Sequence, residues 1–228
     1  MRGPLGARGQ LSGPLATTPV SLVTSWWLSG GIAAANCVAA YQPKGAASLA
    51  ASYVNLNAPG TNDAFPGTAP SFNAATGWTF AAASSQYLKT GLNPKAAWSL
   101  IVQISNFSGL CTAAGIYYSA TAQYYICPQV GTKIIYINRN EIDGANIASG
   151  NVCIAGLNAY QNGSVLAGTF LGTADLADSV GLTIGARRRQ DIDGYDRYAT
   201  GTIIALAIYS ATLTAPQVAA VAAAMAAL

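Results

Sequence analysis

The chain is 228 residues long, which bounds it to one large all-β domain or two small domains. Only 8% of its residues are charged and 52% are hydrophobic, which excludes disorder along the whole length, and no apolar run reaches the ~18 residues of a membrane-spanning helix. The net charge of +3 is dispersed rather than gathered into a basic stripe, so neither nucleic acid nor membrane insertion is expected. With no histidine, a Ser-His-Asp or Cys-His nucleophile and any His-ligated zinc are excluded. Glu141 is the only glutamate, so the paired carboxylates of glycoside hydrolysis have few candidates. A surface this poor in charge, rich in Ala, Gly, Ser and Thr, suits a subunit packed in an assembly.

Residues 1–36 read as an extended N-terminal arm. Gly, Pro and Arg dominate the first ten positions, Pro14 and Pro19 follow, and the first twenty residues show no periodicity. The rival reading is a secretory signal, with Arg2 and Arg8 before an apolar stretch from Val20 and a small-residue run at Ala33 to Ala35. Prolines and glycines separate the arginines from the apolar stretch, which favours the arm. Trp26 and Trp27 are then the expected anchors on a neighbouring subunit, because paired exposed tryptophans make strong contact points.

Residues 37–228 form the second unit. Turn residues break it at short intervals, and between them lie runs rich in Val, Ile, Tyr and Thr, such as Trp98 to Ile104, Lys133 to Asn138 and Thr202 to Tyr209. Many short strands at this spacing imply a sandwich or barrel. Asn162-Gly163 between apolar runs predicts a two-residue hairpin turn with positive φ at both positions. Near the end, Thr214-Ala-Pro-Gln217 is a capping box, and Val218, Val221, Met225 and Leu228 recur at helical spacing, so one short C-terminal helix is expected. Cys37, Cys111, Cys127 and Cys153 contain no C-x-x-C pair. Three disulfide pairings are open, but a chain this long needs no staples, and buried free thiols are the expectation.

Three segments together resemble the concanavalin A-like, laminin-G-type jelly roll. They are Gly77 to Thr90 with its aromatic strand and Tyr87-Leu88 pair, the Asn158 to Gly163 hairpin, and the ordered series Leu182 to Arg187, Ala199 to Tyr209 and Leu213 to Val218. The resemblance implies an all-β fold of two antiparallel sheets with a concave face. Members bind glycans, proteins or lipids, and some relatives hydrolyse glycans. Copies with this alanine-rich texture and a short arm resemble bacteriophage virion proteins of the tail or capsid surface.

Four groups of residues are candidate sites. Glu141-Ile-Asp143 is similar to the Glu-x-Asp-x-Glu strand of glycanases on this fold, but the last position is Ala145, and Asp143-Gly144 reads as a solvated hairpin tip. Calcium, which many laminin-G modules bind, would need the carboxylates Asp175 and Asp178 or Asp191, Asp193 and Asp196. The second set is interleaved with Arg187, Arg188, Arg189 and Arg197, so ion pairing is expected there and no cofactor is assigned. That same charged segment is the candidate recognition loop, either solvated or paired with a neighbouring subunit. Tyr117, Tyr118, Tyr124 and Tyr125 are a candidate glycan platform, with one ring of each pair expected in the core.

These readings give a non-enzymatic structural virion protein of a bacteriophage, held by its arm among other virion subunits as a homo-oligomer. The alternative is a carbohydrate-binding adhesin or receptor-binding module facing a host surface glycan.

Overall fold

Runs in which both alternating sets of residues are apolar become the central strands, because both of their faces are covered. The computed structural model describes residues 25–119, 122–128, 133–137, 140–143, 146–167 and 181–228. In chain order the strands are β1 (Cys37–Tyr41), β2 (Phe65–Thr68), β3 (Ser71–Asn73), β4 (Gly77–Phe80), β5 (Tyr87–Lys89), β6 (Ser99–Ser105), β7 (Ala114–Ser119), β8 (Ala122–Ile126), β9 (Lys133–Ile137) and β10 (Asn140–Asp143). They continue with β11 (Gly150–Ala155), β12 (Asn158–Gln161), β13 (Ser164–Val165), β14 (Thr183–Ile184), β15 (Arg187–Arg189), β16 (Gly194–Asp196) and β17 (Gly201–Tyr209). A four-residue helix α1 (Leu49–Ser52) and a twelve-residue helix α2 (Ala215–Ala226) complete the regular elements, with short 3-10 turns at Trp26–Leu28, Ala34–Asn36 and Ala82–Ser84. No described helix is long and apolar enough to cross a membrane.

The strands form two stacked sheets. The first runs β13-β12-β11-β6-β17-β4-β3, with β1 also paired to β17. The second runs β10-β9-β8-β7-β14-β5-β2, with β15 and β16 attached to β7. The pairings are antiparallel as expected, with one exception: β15 lies parallel to β7, Arg188 opposite Ile116. The chain reverses at Gly185, whose φ of +81° suits glycine and where a Cβ would come within 2.2 Å of the Phe80 ring.

Alternation along the strands sorts side chains into two cores. Between the sheets lie Leu100, Val102 and Ile104 of β6, Val152 and Ile154 of β11, Leu206 and Ile208 of β17, and Ile116, Tyr124 and Ile126 of the second sheet. On the far side of the first sheet, Ile101, Cys153, Ala205, Ala207 and Tyr209 meet Val218, Val221 and Met225 of α2. The capping box forms, with the Thr214 backbone N–H donating to Gln217 Oε1 at 3.0 Å. Buried polar groups are tied down: Trp78 Nε1 donates to Ser52 Oγ at 2.7 Å, and Asn55 Nδ2 donates to the carbonyls of Val38 at 2.9 Å and Thr61 at 2.8 Å. At the hairpin, Asn162 and Gly163 both carry positive φ, 50° and 81°.

Three expectations are corrected. Trp26 and Trp27 do not face outward for another subunit: they are 1% and 5% exposed within the second core, beside α2. Trp26 Nε1 donates to Gln42 Oε1 at 2.9 Å, Trp27 Nε1 to Asn57 Oδ1 at 3.2 Å, and Tyr209 Oη to the Trp27 carbonyl at 2.8 Å. The apolar far face of the first sheet needed a cover that α2 alone does not provide, and the indoles supply it. Residues 25–36 therefore belong to the folded body rather than to an arm, and the rest of the proposed arm lies outside the described residues. Glu141 to Asp143 is not a hairpin tip but part of strand β10, Glu141 opposite Tyr136, at the end of the second sheet. The four cysteines are buried and unbridged.

Candidate functional site

The first sheet is covered on its inner side and, over part of its outer side, by α2 and the indoles, and the outer face of the second sheet is the other strand surface left for chemistry. Alternation sends Leu88, Ile116, Tyr124, Ile126 and Ile184 inward and leaves Tyr87, Lys89, Tyr117, Tyr125 and Thr183 on the outer side. Of the sequence-predicted tyrosines, Tyr118 packs on the inner core and Tyr124 is buried in it. Tyr117 and Tyr125 take the other face, so the split within each pair is as expected.

The pair that faces outward is nevertheless roofed. β15 and β16 form a small hairpin whose arginines lie over these rings. Arg187 places its guanidinium 4.6 Å from the Tyr117 centroid and 4.9 Å from that of Tyr125. It donates through Nε to Asp196 Oδ1 at 2.7 Å, through Nη2 to Asp196 Oδ2 at 2.5 Å, and through Nη1 to Tyr125 Oη at 3.1 Å. Burial pulls the Arg187 pKa down, but the hydrogen bond and charge of Asp196, with Tyr125, leave it raised overall. Arg189 stands 5.0 Å over Tyr117 and pairs with Asp191, Nε to Oδ1 at 2.9 Å, and with Asp196 at 3.2 Å. Arg188 pairs with Asp193, and Arg197 Nη1 donates to Tyr125 Oη at 3.3 Å. The charged segment is thus satisfied within its own chain, and Tyr117, Tyr118, Tyr124 and Tyr125 are not an open glycan platform.

The same ion pairs answer the calcium expectation at this hairpin, since Asp191, Asp193 and Asp196 each hold an arginine. Among the described residues there is no group of three or more His, Cys, Asp or Glu side chains that could hold a metal. Asp175 and Asp178 lie outside the described residues. Burial pushes the Cys37 thiol up to about 12; burial, with Cys111 adding to it, does the same for Cys127. Neither is a nucleophile near neutral pH.

Beside the roofed pair an open cleft does form, and of the residues that line it only Arg188 is among the candidates that the sequence pattern singled out. Its volume is about 210 Å³, and Phe65, Lys89, Thr183, Arg188 and Tyr195 line it, with Gly91 and Gly181 leaving room at one wall. Phe65 is 49% exposed, and Lys89 Nζ lies 5.9 Å from its ring centroid. Arg188 sits 4.9 Å over Tyr195, which packs at 4.0 Å against Tyr87, with Tyr198 6.4 Å beyond. Thr183 is a fixed wall, its hydroxyl donating to the Ala186 carbonyl at 2.8 Å. The cleft thus offers the exposed Phe65 ring and the Lys89 ammonium, while Arg188 at its wall is paired with Asp193 and laid on Tyr195, which stacks on Tyr87. One signal was available: period-2 alternation puts Tyr87 and Lys89 on one face. The position of Tyr195 could not be read, because it depends on the folding back of the charged hairpin.

No family model and no curated protein sequence matches the chain. Solved structures share its fold. Domain 4 of AbnA, a GH43 extracellular arabinanase from Geobacillus stearothermophilus in complex with arabinotriose, superposes with a TM-score of 0.54 at 16% identity, covering 82% of this chain and 98% of that domain. A botulinum neurotoxin type C structure, concerning a toxin dependent on two ganglioside molecules, gives 0.55 at 8% identity over 84% of this chain and 52% of that one. A Trypanosoma rangeli sialidase mutant with trans-sialidase activity gives 0.51 at 13% identity over 85% of this chain and 34% of that one. The chain therefore spans nearly all of the arabinanase domain but only a third to a half of the other two proteins. At these identities the likeness establishes the β-sandwich fold, compatible with the concanavalin A-like class.

Proposed function

We propose that the chain is a non-catalytic carbohydrate-binding module whose ligand is an acidic glycan held in the cleft between Phe65, Lys89, Arg188 and Tyr195. The observation that carries this reading is an exposed aromatic ring, Phe65, beside Lys89, a cation with which no carboxylate pairs among the described residues, in a cleft walled by Arg188 and Tyr195. The Phe65 ring can stack on the apolar side of a sugar ring, and the Lys89 ammonium suits a sugar carboxylate. Arabinotriose in one fold relative and ganglioside dependence in another support the choice of ligand class. Titration of the whole chain with 3′-sialyllactose and with lactose tests it. Binding should favour the sialylated sugar and weaken at least tenfold in Tyr195→Ala and in Lys89→Ala. Equal affinity for the two sugars, or indifference to both substitutions, would sink the proposal.

Catalysis is not part of this reading. The glycanase pattern stops at Ala145, so the third carboxylate of that motif, its acid/base partner, is missing beside Glu141 and Asp143. Reducing-end release that disappeared in Glu141→Gln would refute this. A place on a phage particle is the other reading, and the charge-poor, alanine-rich composition favours it. Its docking segment would be residues 1–24, since the indoles serve the chain's own core. Light scattering on the full chain and on a form lacking residues 1–24 tests it: a multimer that the deletion dissociates is the expected result.

A further inference from the structure

A groove of about 390 Å³ lies on the part of the first sheet's outer face that α2 leaves open. Cross-strand register builds its floor. Thr202 of β17 stands opposite Ser105 of β6 on one side and Thr79 of β4 on the other. Their neighbours Ile104, Ile203, Trp78 and Phe80 turn into the inner core, so alternation sends the three hydroxyls outward. Neighbouring strands stand about 4.8 Å apart, so this row runs about 10 Å across the sheet. Thr79 Oγ1 and Thr202 Oγ1 lie 3.1 Å apart and share one hydrogen bond, which leaves one hydrogen of the pair for a third partner. Lys44, Thr76 and Asn106 stand around the row. Backbone bonds hold these walls in place. The Gly45 N–H donates to the Ala74 carbonyl at 2.7 Å and ties the chain after β1 to the β3–β4 turn. The Lys44 N–H meets the Ile204 carbonyl at 3.4 Å, where the register of β17 against β6 shifts. The Asn106 N–H donates to Ser149 Oγ at 3.1 Å. Among the described residues nothing pairs with the Lys44 ammonium or bonds the side chains of Thr76, Ser105 and Asn106.

These groups narrow what the groove can hold. Its one charged lining residue is Lys44, and neither a carboxylate nor an aromatic ring lines it. A cation would be repelled, and an uncharged sugar would find no ring to stack on. The ammonium, the hydroxyls and the Asn106 amide can all donate. They come from separate elements: the chain after β1, the β3–β4 turn, β4 and the end of β6. An oxyanion whose oxygens point out of one plane reaches more of these donors than a planar carboxylate does. The volume lies within the range of small-molecule sites, about 300–1,000 Å³, and is more than a bare ion fills. The hydroxyl row is the floor left for the body that carries the anion, and it suits a carrier with hydroxyls of its own, since Ser and Thr both donate and accept. Thr76, Thr79 and Asn106 are exposed and Ser105 and Lys44 half-buried, so a ligand from solvent reaches them.

We infer that this groove binds a phosphate or sulfate ester of a hydroxylated small molecule, with the ester oxyanion at Lys44 and the carrier's hydroxyls along Thr79 and Ser105. It lies on the other sheet from the Lys89 cleft and does not depend on it. The test is an NMR titration of the full chain with glucose 6-phosphate, glucose 6-sulfate and glucose. The inference expects saturable shifts at the amides of Thr79, Ser105 and Thr202 with at least one ester, and the tighter of the two tells phosphate from sulfate. Glucose should bind about tenfold more weakly or worse, and Lys44→Met should weaken the ester by a similar factor. Ser105→Ala, which removes only an accessible hydroxyl, should weaken it about fivefold with the melting temperature unchanged. Lys89→Ala should leave ester binding intact while weakening that of 3′-sialyllactose, so the two sites fail independently. No saturable shift at these amides with either ester at roughly millimolar concentration, glucose binding as tightly as the esters, or ester binding indifferent to both Lys44→Met and Ser105→Ala would each overturn it. Loss of ester binding in Lys89→Ala would assign the ester to the other cleft and overturn it as well.

Discussion

Arg187 shows how one side chain can close a surface. It is 5% exposed, forked onto Asp196, and laid across two tyrosine rings. Its charge is tolerable there only because a carboxylate and a phenol face it. Asp196→Asn should therefore cost more than an ordinary surface ion pair, on the order of 2 kcal/mol in urea unfolding. The figure is below that of a fully enclosed pair because the Asp196 side chain keeps 28% of its surface. Arg187→Lys should not substitute, since an ammonium lacks the planar fork that meets both oxygens of Asp196. An Asp196→Asn protein as stable as the wild type would show the roof to be ornamental. Lys89, across the cleft from Arg188, rests on the Phe65 ring, and no carboxylate is paired with it among the described residues.

At the scale of elements, the short turn at Trp26–Leu28 does the work of a second helix. Beside α2 it shields the far face of the first sheet, and Trp26 is almost wholly enclosed. Trp26→Ala should lower unfolding stability by about 3 kcal/mol or more, through lost burial and the cavity left behind. A change below about 1 kcal/mol would mean that the indole is peripheral. This element also marks where the sequence stops being legible. The capping box at Thr214, the Asn162-Gly163 turn and the alternation in β6 and β17 are local patterns, and each folds as its pattern demands. Trp26 and Trp27 sit in a segment with no period of its own, and what buries them comes from Tyr209 and Val221, far along the chain. Tyr117 and Tyr125 mislead for the same reason. Their place in a strand is legible, but the arginine that covers them is dozens of residues away and arrives by a parallel pairing that no short motif announces. The cleft at Tyr195 and Lys89 inherits that opacity.

For the molecule as a whole, the buried acids set its alkaline limit. Cys37 and Cys127 ionise near 12 in the folded chain against 9.0 for a free thiol, mainly through burial. Burial also raises the phenols of Tyr41, Tyr124 and Tyr209. The unfolded chain therefore loses these protons first. The stabilisation is complete below about pH 9 and fades as pH climbs toward 12, by up to about 1.4 kcal/mol per pH unit for each thiol. The melting temperature should be flat near neutrality and fall steeply above pH 9, and a flat profile up to pH 11 would contradict the burial of these groups. The same enclosure has a consequence in time. β6 lies between β11 and β17, and β17 between β6 and the pair β1 and β4, with a second sheet beneath and α2 above. Water can reach their amides only when neighbours on every side have parted. Deuterium uptake at Leu100 to Ile104 and Ile203 to Ile208 should then be the slowest in the chain and follow global opening. The edge strands β2, β3 and β13 should exchange by local fraying, long before the centre gives way.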